Sequence, residues 1–304
     1  MATFWLARTS AVQGLKVWQR QDQQLLHICQ SMSAVDKGQL AKLRKQTGFS
    51  ISNCKNALEM HGNDFEKAES WLQKEALSQG WEKATKLANR KTAQGLVGIH
   101  IEGNIGAMVE VNCETDFVAR NDKFKTLVSR IAKECVRCAP QTSHHGITKA
   151  VLSEEQLKNL VTSDGKTLGD LLALTIGTIG ENMSLPRAVQ IVGSPGLNLV
   201  GYSHPSAPEE NLTTGKFGVI LALKTPGVLS EIARQLCVHV IGMNPKTVGT
   251  LSDPKADNPD EETTFVHQEF LIDPTVTVGE VLQEENIEIV DFIRFESGEQ
   301  LIVN

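Results

Sequence analysis

The sequence predicts an α+β fold, in which a small three-helix module precedes a core of two related α+β halves with antiparallel strands and packed helices. Three observations predict this class. Apolar residues recur at spacings of three and four up to about residue 76, as in short amphipathic helices. From residue 96 they alternate with a period of two, and helical patterns return between the alternating segments. A weak internal repeat divides this second part into residues 96–183 and 184–304.

Ahead of the module, residues 1–37 have the composition of a mitochondrial transit peptide, whose end is approximate. The first 35 residues mix Trp, Leu, Ser and Gln with sparse positive charge and contain one acidic residue, Asp22. They lack the apolar block of a secretory signal, and a disordered or helical extension is the alternative. The six cysteines are scattered, which is typical of a reduced compartment, and together these features predict the mitochondrial matrix.

The charge balance argues against direct contact with nucleic acid. The whole chain has 30 basic and 36 acidic residues, and residues 36–304 retain 27 of the former and 35 of the latter. A negative body of this kind does not attract nucleic acid by bulk charge, so a role near RNA would require a protein partner. No membrane association is expected, because no run of 18 apolar residues occurs.

The module spans residues 38–76, and each of its three helices has a start or stop signal. Predicted boundaries are Gly48, Ser50 as an N-cap, Gly62, and Asn63 or Asp64 as the last N-cap. Predicted inward-facing residues are Leu40, Leu43, Ile51, Cys54, Leu58, Phe65, Ala68 and Leu72. Such a core is too small for chemistry and is typical of a binding module.

Residues 77–95 are predicted to form a basic helical linker with Lys83, Lys86, Arg90 and Lys91. Clustered positive charge suggests RNA, but no interleaved aromatic pattern supports base stacking. A solvated helix face is the preferred interpretation.

The core begins with a predicted hairpin, since "LVGIHI" and "IGAMVEVNC" alternate around the turn "EGN". A helix over about 122–138 follows, and Ser153 with Gln156 forms a capping box before another helix. "TLGDLLALTIGTIG", "LSEIARQLCVHVIG" and "TVGEVLQEE" are predicted helices, and "RAVQIVG", "LNLVGYS", "FGVILAL" and "IEIVDFIRF" are predicted strands.

The internal repeat rests on two glycine-flanked strands, each followed by a helix that ends before a proline. Counted back from Pro140 and Pro245, the apolar residues of the two helices fall in the same register: Phe124, Leu127, Val128 and Ile131, and Leu229, Ile232, Ala233 and Leu236. The distance from the glycine to the first of these residues is 18 positions in the first half and 11 in the second. The extra residues lie around "CETDFVARND", which is therefore expected to be a lengthened loop.

Motifs of enzymes and metal sites are weak. Cys135 and Cys138 form a CxxC near His144 and His145, but no second CxxC completes a zinc site. "DGKTL" lacks the first glycine of a phosphate-binding loop and the strand before it. No cofactor, no metal and no enzymatic activity are expected.

The lengthened loop places an acid beside an aromatic residue, Asp116 and Phe117. In one interpretation they form a local cap, with Asp116 accepting backbone N–H bonds and Phe117 covering the core. In the other they are a binding feature.

Four blocks, in order, resemble elongation factor Ts, the guanine nucleotide exchange factor for elongation factor Tu. "LRKQTGFSISNCKNALEMHGNDFEKA" resembles the ubiquitin-associated-like module of that family. "VEVNCETDFVA" and "IGENMSLPR" resemble its two signatures, and "TVGEVLQEENIEIVDFIRFESGE" resembles its carboxy-terminal core. The similarity covers residues 38–304 and indicates the mitochondrial form.

The resemblance implies guanine nucleotide exchange in mitochondrial translation elongation. The loop residues Asp116, Phe117, Val118 and Ala119 would bind elongation factor Tu·GDP. By intruding between helices of the GTPase domain, they would disturb the Mg²⁺ and phosphate site, so that GDP leaves and GTP rebinds.

The resemblance also implies partner contacts by Arg44, Ile51, Lys55 and His239. The residues themselves leave a plainer alternative open. Ile51 would then be a core residue, Arg44 and Lys55 solvated, and His239 a helix-packing residue.

Two segments depart from the bacterial pattern. "TLSDPKADNPDEETTFVHQEFLID", with the acidic loop 252–264, is too short for the coiled-coil hairpin of bacterial members. The loop 203–216 is lengthened. A 1:1 complex with mitochondrial elongation factor Tu, GDP-bound or nucleotide-free, is therefore expected, without coiled-coil dimerisation.

Two other functions compete with exchange. One is a protein-binding adaptor that uses the three-helix module for ubiquitin-like or other partners. The other is an enzyme that acts through the buried cysteines.

Overall fold

The structure is a computed structural model that describes residues 35–47, 49–140, 146–205, 212–226 and 231–299. Its contacts divide the chain into two units, one up to Ser78 and one from Gln79 onward. The predicted transit peptide lies outside the described residues apart from its last three positions. Among the helices described, none combines the length and apolarity needed to cross a membrane.

The first unit is built from helices α1 (Lys37–Thr47), α2 (Ile51–Met60) and the first part of α3 (Phe65–Leu87). Ser50 caps α2 as predicted, since its Oγ accepts a hydrogen bond from the backbone N–H of Asn53 at 3.1 Å. Asp64, rather than Asn63, caps α3, because its carboxylate accepts from the N–H of Lys67 at 3.1 Å.

The core of the first unit contains most of the residues predicted to face inward. Leu43, Cys54, Ala57, Leu58, Ala68 and Leu72 are buried. Ile51 is the exception, because 52% of its surface is exposed. It is the first residue of α2, and the buried face of that helix begins one turn later, at Cys54.

Helix α3 is longer than the predicted third helix. It runs for 23 residues to Leu87, through the end of the predicted module at residue 76 and into the predicted linker 77–95. That linker is therefore the second half of α3, a short connection, and the start of a strand at Gln94.

The second unit contains two antiparallel sheets. The first has five strands in the order β3-β4-β2-β1-β6: β1 (Gln94–Glu102), β2 (Ile105–Cys113), β3 (Ile147–Ser153), β4 (Met183–Gly193) and β6 (Leu212–Gly215). The second has the order β10-β7-β5: β5 (Asn198–His204), β7 (Phe217–Lys224) and β10 (Glu288–Glu296). A small hairpin of β8 (Glu269–Phe270) and β9 (Asp273–Thr277) stands apart from both.

Six helices lie wholly within the described residues of the second unit. They are α4 (Asp116–Ala119), α5 (Asp122–Arg137), α6 (Glu154–Asn159), α7 (Leu168–Ile179), α8 (Glu231–Met243) and α9 (Val278–Glu284), with 3₁₀ turns at Pro259–Glu261 and Phe265–His267. The predicted capping box of Ser153 and Gln156 is present at α6. Thr167 with Asp170 and Thr277 with Glu280 form two more, at α7 and α9. Mixed helices and antiparallel sheets confirm the α+β class.

The first sheet is covered on both faces. Helix α5 packs on one face with the residues predicted to point inward, Phe124, Leu127, Val128, Ile131 and Cys135. The other face meets the second sheet through an apolar layer that includes Met108, Ile191 and Ile220. Because both faces of the sheet are covered, β2 has only two polar side chains, Glu110 and Asn112, and these are hydrogen-bonded to each other.

The predicted division between residues 183 and 184 does not coincide with a break between the sheets. It lies at the start of β4, which pairs with β2 and β3 of the first sheet. Strand β6, beyond the first strand of the second sheet, also returns to pair with β1. Leu229 of the predicted repeat lies outside the described residues.

Candidate functional site

The acid–aromatic pair lies in a one-turn helix between β2 and α5. Strand β2 ends at Cys113, and Thr115 caps α4 by accepting a hydrogen bond from the N–H of Val118 at 3.3 Å. Asn121 then caps α5 through a bond from the N–H of Lys123 at 2.9 Å. We call residues 115–119 the TDFVA loop.

The TDFVA loop turns its apolar side chains in opposite directions. Phe117 is 79% exposed, whereas Val118 and Ala119 are buried in the core beneath α5. The local-cap interpretation, in which Phe117 covers the core, is therefore wrong. An exposed phenylalanine forgoes roughly 1.5–3 kcal/mol of burial free energy.

Asp116 is also not the cap. Thr115 accepts the capping bond, and the Asp116 carboxylate instead pairs with the Arg120 guanidinium at 2.9 Å, one turn further along. Both side chains of this pair are largely exposed. An exposed ion pair contributes little to stability, so Asp116 is available at the surface beside Phe117.

The second signature-like block, "IGENMSLPR", is hydrogen-bonded to the TDFVA loop through Glu181. Strands β2 and β4 pair up to Cys113 and Met183. Beyond that pair, the Glu181 carboxylate accepts hydrogen bonds from Thr115, from its backbone N–H at 3.2 Å and its hydroxyl at 2.9 Å. Sequence reasoning treated the two blocks as separate and missed Glu181.

A buried ion pair joins the same two strands deeper in the molecule. Arg187 Nε on β4 donates to Glu110 Oε2 on β2 at 2.6 Å, and both side chains are nearly inaccessible. The second Glu110 oxygen accepts from Asn112 Nδ2 and from the N–H of Gly298, each at 2.8 Å. Arg187 also lies over the Phe295 ring, 4.0 Å from its centroid. Glu110 is therefore fully paired in its buried site, and these bonds hold the second half of β2 in place.

Three buried cysteines of the second unit, Cys113, Cys135 and Cys237, have raised pKa values that favour the neutral thiol. Burial, with the Glu181 and Asp116 carboxylates nearby, raises the pKa of the Cys113 thiol to about 12. Burial also raises the pKa of Cys135 to about 12 and raises that of Cys237. The reactive nucleophile is the thiolate, which these raised pKa values disfavour. They therefore argue against an enzyme that acts through these thiols.

The CxxC motif does not form a metal site within the described residues. Cys135 is buried and Cys138 is exposed, and no group of three or more potential metal ligands occurs in the part of the chain that the structure describes. His144 and His145 lie outside those residues.

In the first unit, Arg44, Ile51 and Lys55 are all exposed. Lys55 makes only an exposed ion pair with Glu59, at 3.5 Å. The core interpretation of Ile51 is wrong, and the solvated interpretation fits Arg44 and Lys55. All three side chains are therefore accessible, Arg44 on α1 and Ile51 and Lys55 on α2.

His239 is fully buried on α8, in the helix layer of the second sheet. Its Nδ1 accepts a hydrogen bond from the N–H of Leu271 at 3.1 Å, and its Nε2 lies 3.0 Å from Gln268 Oε1. This arrangement requires neutral imidazole with the proton on Nε2. Burial lowers the pKa of His239 accordingly. The packing interpretation of His239 fits the structure.

Comparison with known proteins connects these features to a family. A family model described as "Elongation factor Ts, mitochondrial, N-terminal" matches residues 23–82, and one described as "Elongation factor TS" matches residues 114–257. "Elongation factor Ts, mitochondrial" of Aedes aegypti is 50% identical over 277 residues, which is 88% of this chain and 90% of the relative. The proteins of the same name from Drosophila melanogaster and Homo sapiens are 47% and 42% identical, over 87% and 88% of this chain and 86% and 85% of theirs. The chain therefore belongs to the mitochondrial elongation factor Ts family.

Proposed function

We propose that the chain is a guanine nucleotide exchange factor of mitochondrial translation elongation, acting in the matrix on elongation factor Tu·GDP. The main support is the position of Phe117. Its side chain is 79% exposed, and the next two residues of the same helical turn are buried in the core. A rigid aromatic on a fixed support is suited to enter a partner's apolar crevice, because it loses little side-chain entropy on binding. No covalent chemistry is involved.

In this proposal Phe117 is the wedge, and it separates helices of the partner's GTPase domain next to the Mg²⁺ and phosphate site. Mg²⁺ neutralises phosphate charge, so displacing it removes a large electrostatic share of the affinity for GDP. Asp116 lies beside the wedge at the surface and offers an acceptor to partner groups. Val118 and Ala119 contribute indirectly, since they are buried and hold the turn in place.

The factor and the nucleotide weaken each other's binding reciprocally, as thermodynamic linkage requires. A coupling of about 4–6 kcal/mol would accelerate GDP release roughly 10³- to 10⁴-fold if it acts mainly on the dissociation rate. The GTP:GDP ratio then determines which nucleotide rebinds.

The three-helix module supplies a second contact with the same partner through Arg44, Ile51 and Lys55. Support comes from the 52% exposure of Ile51, one turn before the exposed Lys55 on the same helix, since an apolar anchor beside polar residues is typical of an interface. His239 acts indirectly, by holding the exposed residues Leu271 and Ile272 through its bond to the Leu271 N–H.

The complex is proposed to be 1:1. Between α8 and α9 the described chain forms two 3₁₀ turns and the β8–β9 hairpin, and residues 251–261 are exposed. That interval has no pair of long helices with which to build a coiled-coil dimer, and a 1:1 complex needs none.

We also propose that the core contains two halves of one topology, with the boundary after β4 rather than at residues 183–184, and that the first unit is ubiquitin-associated-like. Strand orders β4-β2-β1 and β10-β7-β5 correspond, with α5 and α8 following the central strand of each. Thr167 and Thr277 begin corresponding capping boxes just before the last strand of each set. The lengthened loop of the first half is then the elaboration that holds Phe117.

The test is release of a fluorescent GDP analogue from mitochondrial elongation factor Tu, measured by stopped flow against concentration of residues 38–304. Exchange predicts saturable acceleration of at least about 10³-fold, set by the coupling above. An adaptor would bind elongation factor Tu or another partner through the first unit without accelerating release, and that outcome would contradict exchange.

A further inference from the structure

The β2–β4 ladder continues past its last backbone pair by means of side chains. After Cys113 and Met183 the strands separate, one into α4 and the other toward the left-handed residue Gly180 that ends α7. The next two opposed positions are nevertheless joined, because each strand supplies one carboxylate and one backbone N–H. Asn182 N–H donates to Glu114 Oε1 at 2.6 Å, and Thr115 N–H donates to Glu181 Oε2 at 3.2 Å. We call Glu114, Thr115, Glu181 and Asn182 the carboxylate clamp.

Within the clamp, the hydroxyl of Thr115 connects Glu181 to the helical turn. Its oxygen lies 2.9 Å from Glu181 Oε1 and 3.3 Å from the backbone nitrogen of Val118. The hydroxyl has one proton, and an ionised carboxylate can only accept. The proton therefore points to Glu181, which leaves an oxygen lone pair for the N–H of Val118. Glu181 thus fixes the direction in which Thr115 caps α4.

The cap matters more here than at a longer helix. Helix α4 has four residues, far fewer than an isolated helix needs to be stable. It is held by the Thr115 cap and by the burial of Val118 and Ala119. Asp116 and Phe117 lie between these anchors, and the Phe117 ring, which is 79% exposed, has little packing of its own to restrain it.

Building on the proposed exchange function, we infer that Glu181 is a positioning residue, which holds Phe117 in the geometry that enters the partner by orienting the Thr115 cap. Glu181 never needs to touch the partner or the nucleotide. Its effect should therefore appear in where Phe117 points and in the rate of GDP release, while the fold of the second unit stays intact.

The matched control is Glu280, which performs the same task at another helix. Its carboxylate accepts from the N–H of Thr277 at 2.7 Å and from its hydroxyl at 2.9 Å, at the start of α9. Glu181→Gln and Glu280→Gln therefore remove the same charge from the same kind of threonine cap. Only the first of the two caps leads to Phe117.

The first measurement is ¹⁹F NMR of the full chain with 4-fluorophenylalanine at position 117. We expect one resonance in the unsubstituted chain, a shifted or broadened resonance in Glu181→Gln, and no change in Glu280→Gln. The second measurement is stopped-flow GDP release, in which Glu181→Gln should lower the maximal rate by up to about tenfold, the effect of losing a helix cap outright, because a Gln amide can donate as well as accept and no longer fixes the direction of the Thr115 proton. Its thermal unfolding midpoint should match that of Glu280→Gln.

Thr115 variants provide an independent test if Glu181→Gln unfolds. Thr115→Val removes the hydroxyl but keeps the shape, and it should reproduce the slow release and the altered resonance. Thr115→Ser keeps the hydroxyl and should restore both. Combining Thr115→Val with Glu181→Gln should cost less than the sum of the two single losses, because both disturb the bond between the Thr115 hydroxyl and Glu181.

The outcomes separate this inference from the proposed function. If the unsubstituted chain fails to accelerate GDP release, exchange is wrong, and the ¹⁹F spectra still decide whether Glu181 positions Phe117. If release is accelerated but Glu181→Gln and Thr115→Val leave both the spectrum and the rate unchanged, exchange stands and the positioning role is overturned.

Discussion

At the scale of single residues, three consecutive apolar residues of the TDFVA loop differ in exposure. Phe117 faces outward, while Val118 and Ala119 complete the core. All three are apolar, so composition alone could not assign their directions. The sequence predicted that the stretch is lengthened and unusual. The outward direction of Phe117 depends on the Thr115 cap and on Glu181, which is distant in sequence.

The two members of the acid–aromatic pair should contribute unequally to exchange. Asp116→Asn removes an exposed ion pair with Arg120, which has little effect on stability. We therefore expect its unfolding midpoint to be unchanged and its GDP-release rate to fall by less than about tenfold, the loss of roughly one surface interaction.

Asp122→Asn is the control for Asp116→Asn, because it removes another exposed carboxylate at the start of the next helix. Equal effects of the two substitutions would show that only general surface charge is involved. A loss with Asp116→Asn as large as that with Phe117→Ala would make the acid an equal partner in the wedge.

The buried His239 predicts a loss of stability on mild acidification. Burial lowers its pKa in the folded state, so the unfolded chain, with a pKa near 6.5, takes up the proton first. Stability is then retained above about pH 6.5 and falls, by up to about 1.4 kcal/mol per pH unit, as the pH drops toward the lower folded pKa.

Urea unfolding between pH 7.5 and 5.5 would measure this effect. His239→Asn should flatten the pH dependence, since its side-chain oxygen can still accept from the Leu271 N–H without titrating. An equal slope in the two proteins would show that other groups cause the acid sensitivity.

At the scale of secondary-structure elements, the strongest periodic patterns were predicted correctly. The β1–β2 hairpin, the inward face of α5 and the capping box at Ser153 all appear as expected. Strand β3 and the short strand β6 were missed, because β3 has an apolar run of only three residues, β6 has none, and each lies at a sheet edge. The end of α3 was misplaced because its pattern continues past residue 76 without a stop signal.

The contact between α5 and the first sheet depends on a glycine. A Cβ at Gly98 would lie 2.6 Å from Val128 Cγ1, much closer than two carbons can approach. Gly98→Ala should therefore cost about 1–3 kcal/mol, as overpacked cores do. Chemical denaturation would measure it.

The double variant Gly98→Ala with Val128→Ala gives the control for this contact. Removing the two Val128 methyl groups makes room for the new Cβ, so the combined loss should be smaller than the sum of the single losses. Strict additivity would mean that the clash is relieved elsewhere.

At the scale of the whole molecule, the order of strands along the chain differs from their grouping in space. Strands β4 and β6 belong to the first sheet although the repeat pattern assigned them to the second half. Pairing between distant strands is decided by tertiary packing, which leaves no local mark in sequence. The contact between the two signature-like blocks escaped prediction for the same reason.

The buried pair of Arg187 and Glu110 ties the first sheet to the end of β10. Arg187→Met leaves the Glu110 carboxylate without its cation at a site that is closed to water. We expect a loss of about 3–5 kcal/mol in the free energy of unfolding, measured by urea titration.

Arg234→Met is the comparison, since it removes an exposed arginine paired with Glu231 and should cost little. Adding Glu110→Gln to Arg187→Met should recover part of the loss, because no unpaired charge remains. A loss below about 1 kcal/mol for Arg187→Met would show that water reaches Glu110.

The most direct test of the proposed wedge compares Phe117→Ala with Val151→Ala in GDP release from mitochondrial elongation factor Tu. Both side chains are exposed, 79% and 74%, so neither substitution should lower the unfolding midpoint. Phe117→Ala is expected to reduce the maximal release rate at least about 30-fold, as loss of a central aromatic anchor does, while Val151→Ala leaves it unchanged. A Phe117→Ala chain that releases GDP within twofold of the unsubstituted rate would contradict the wedge.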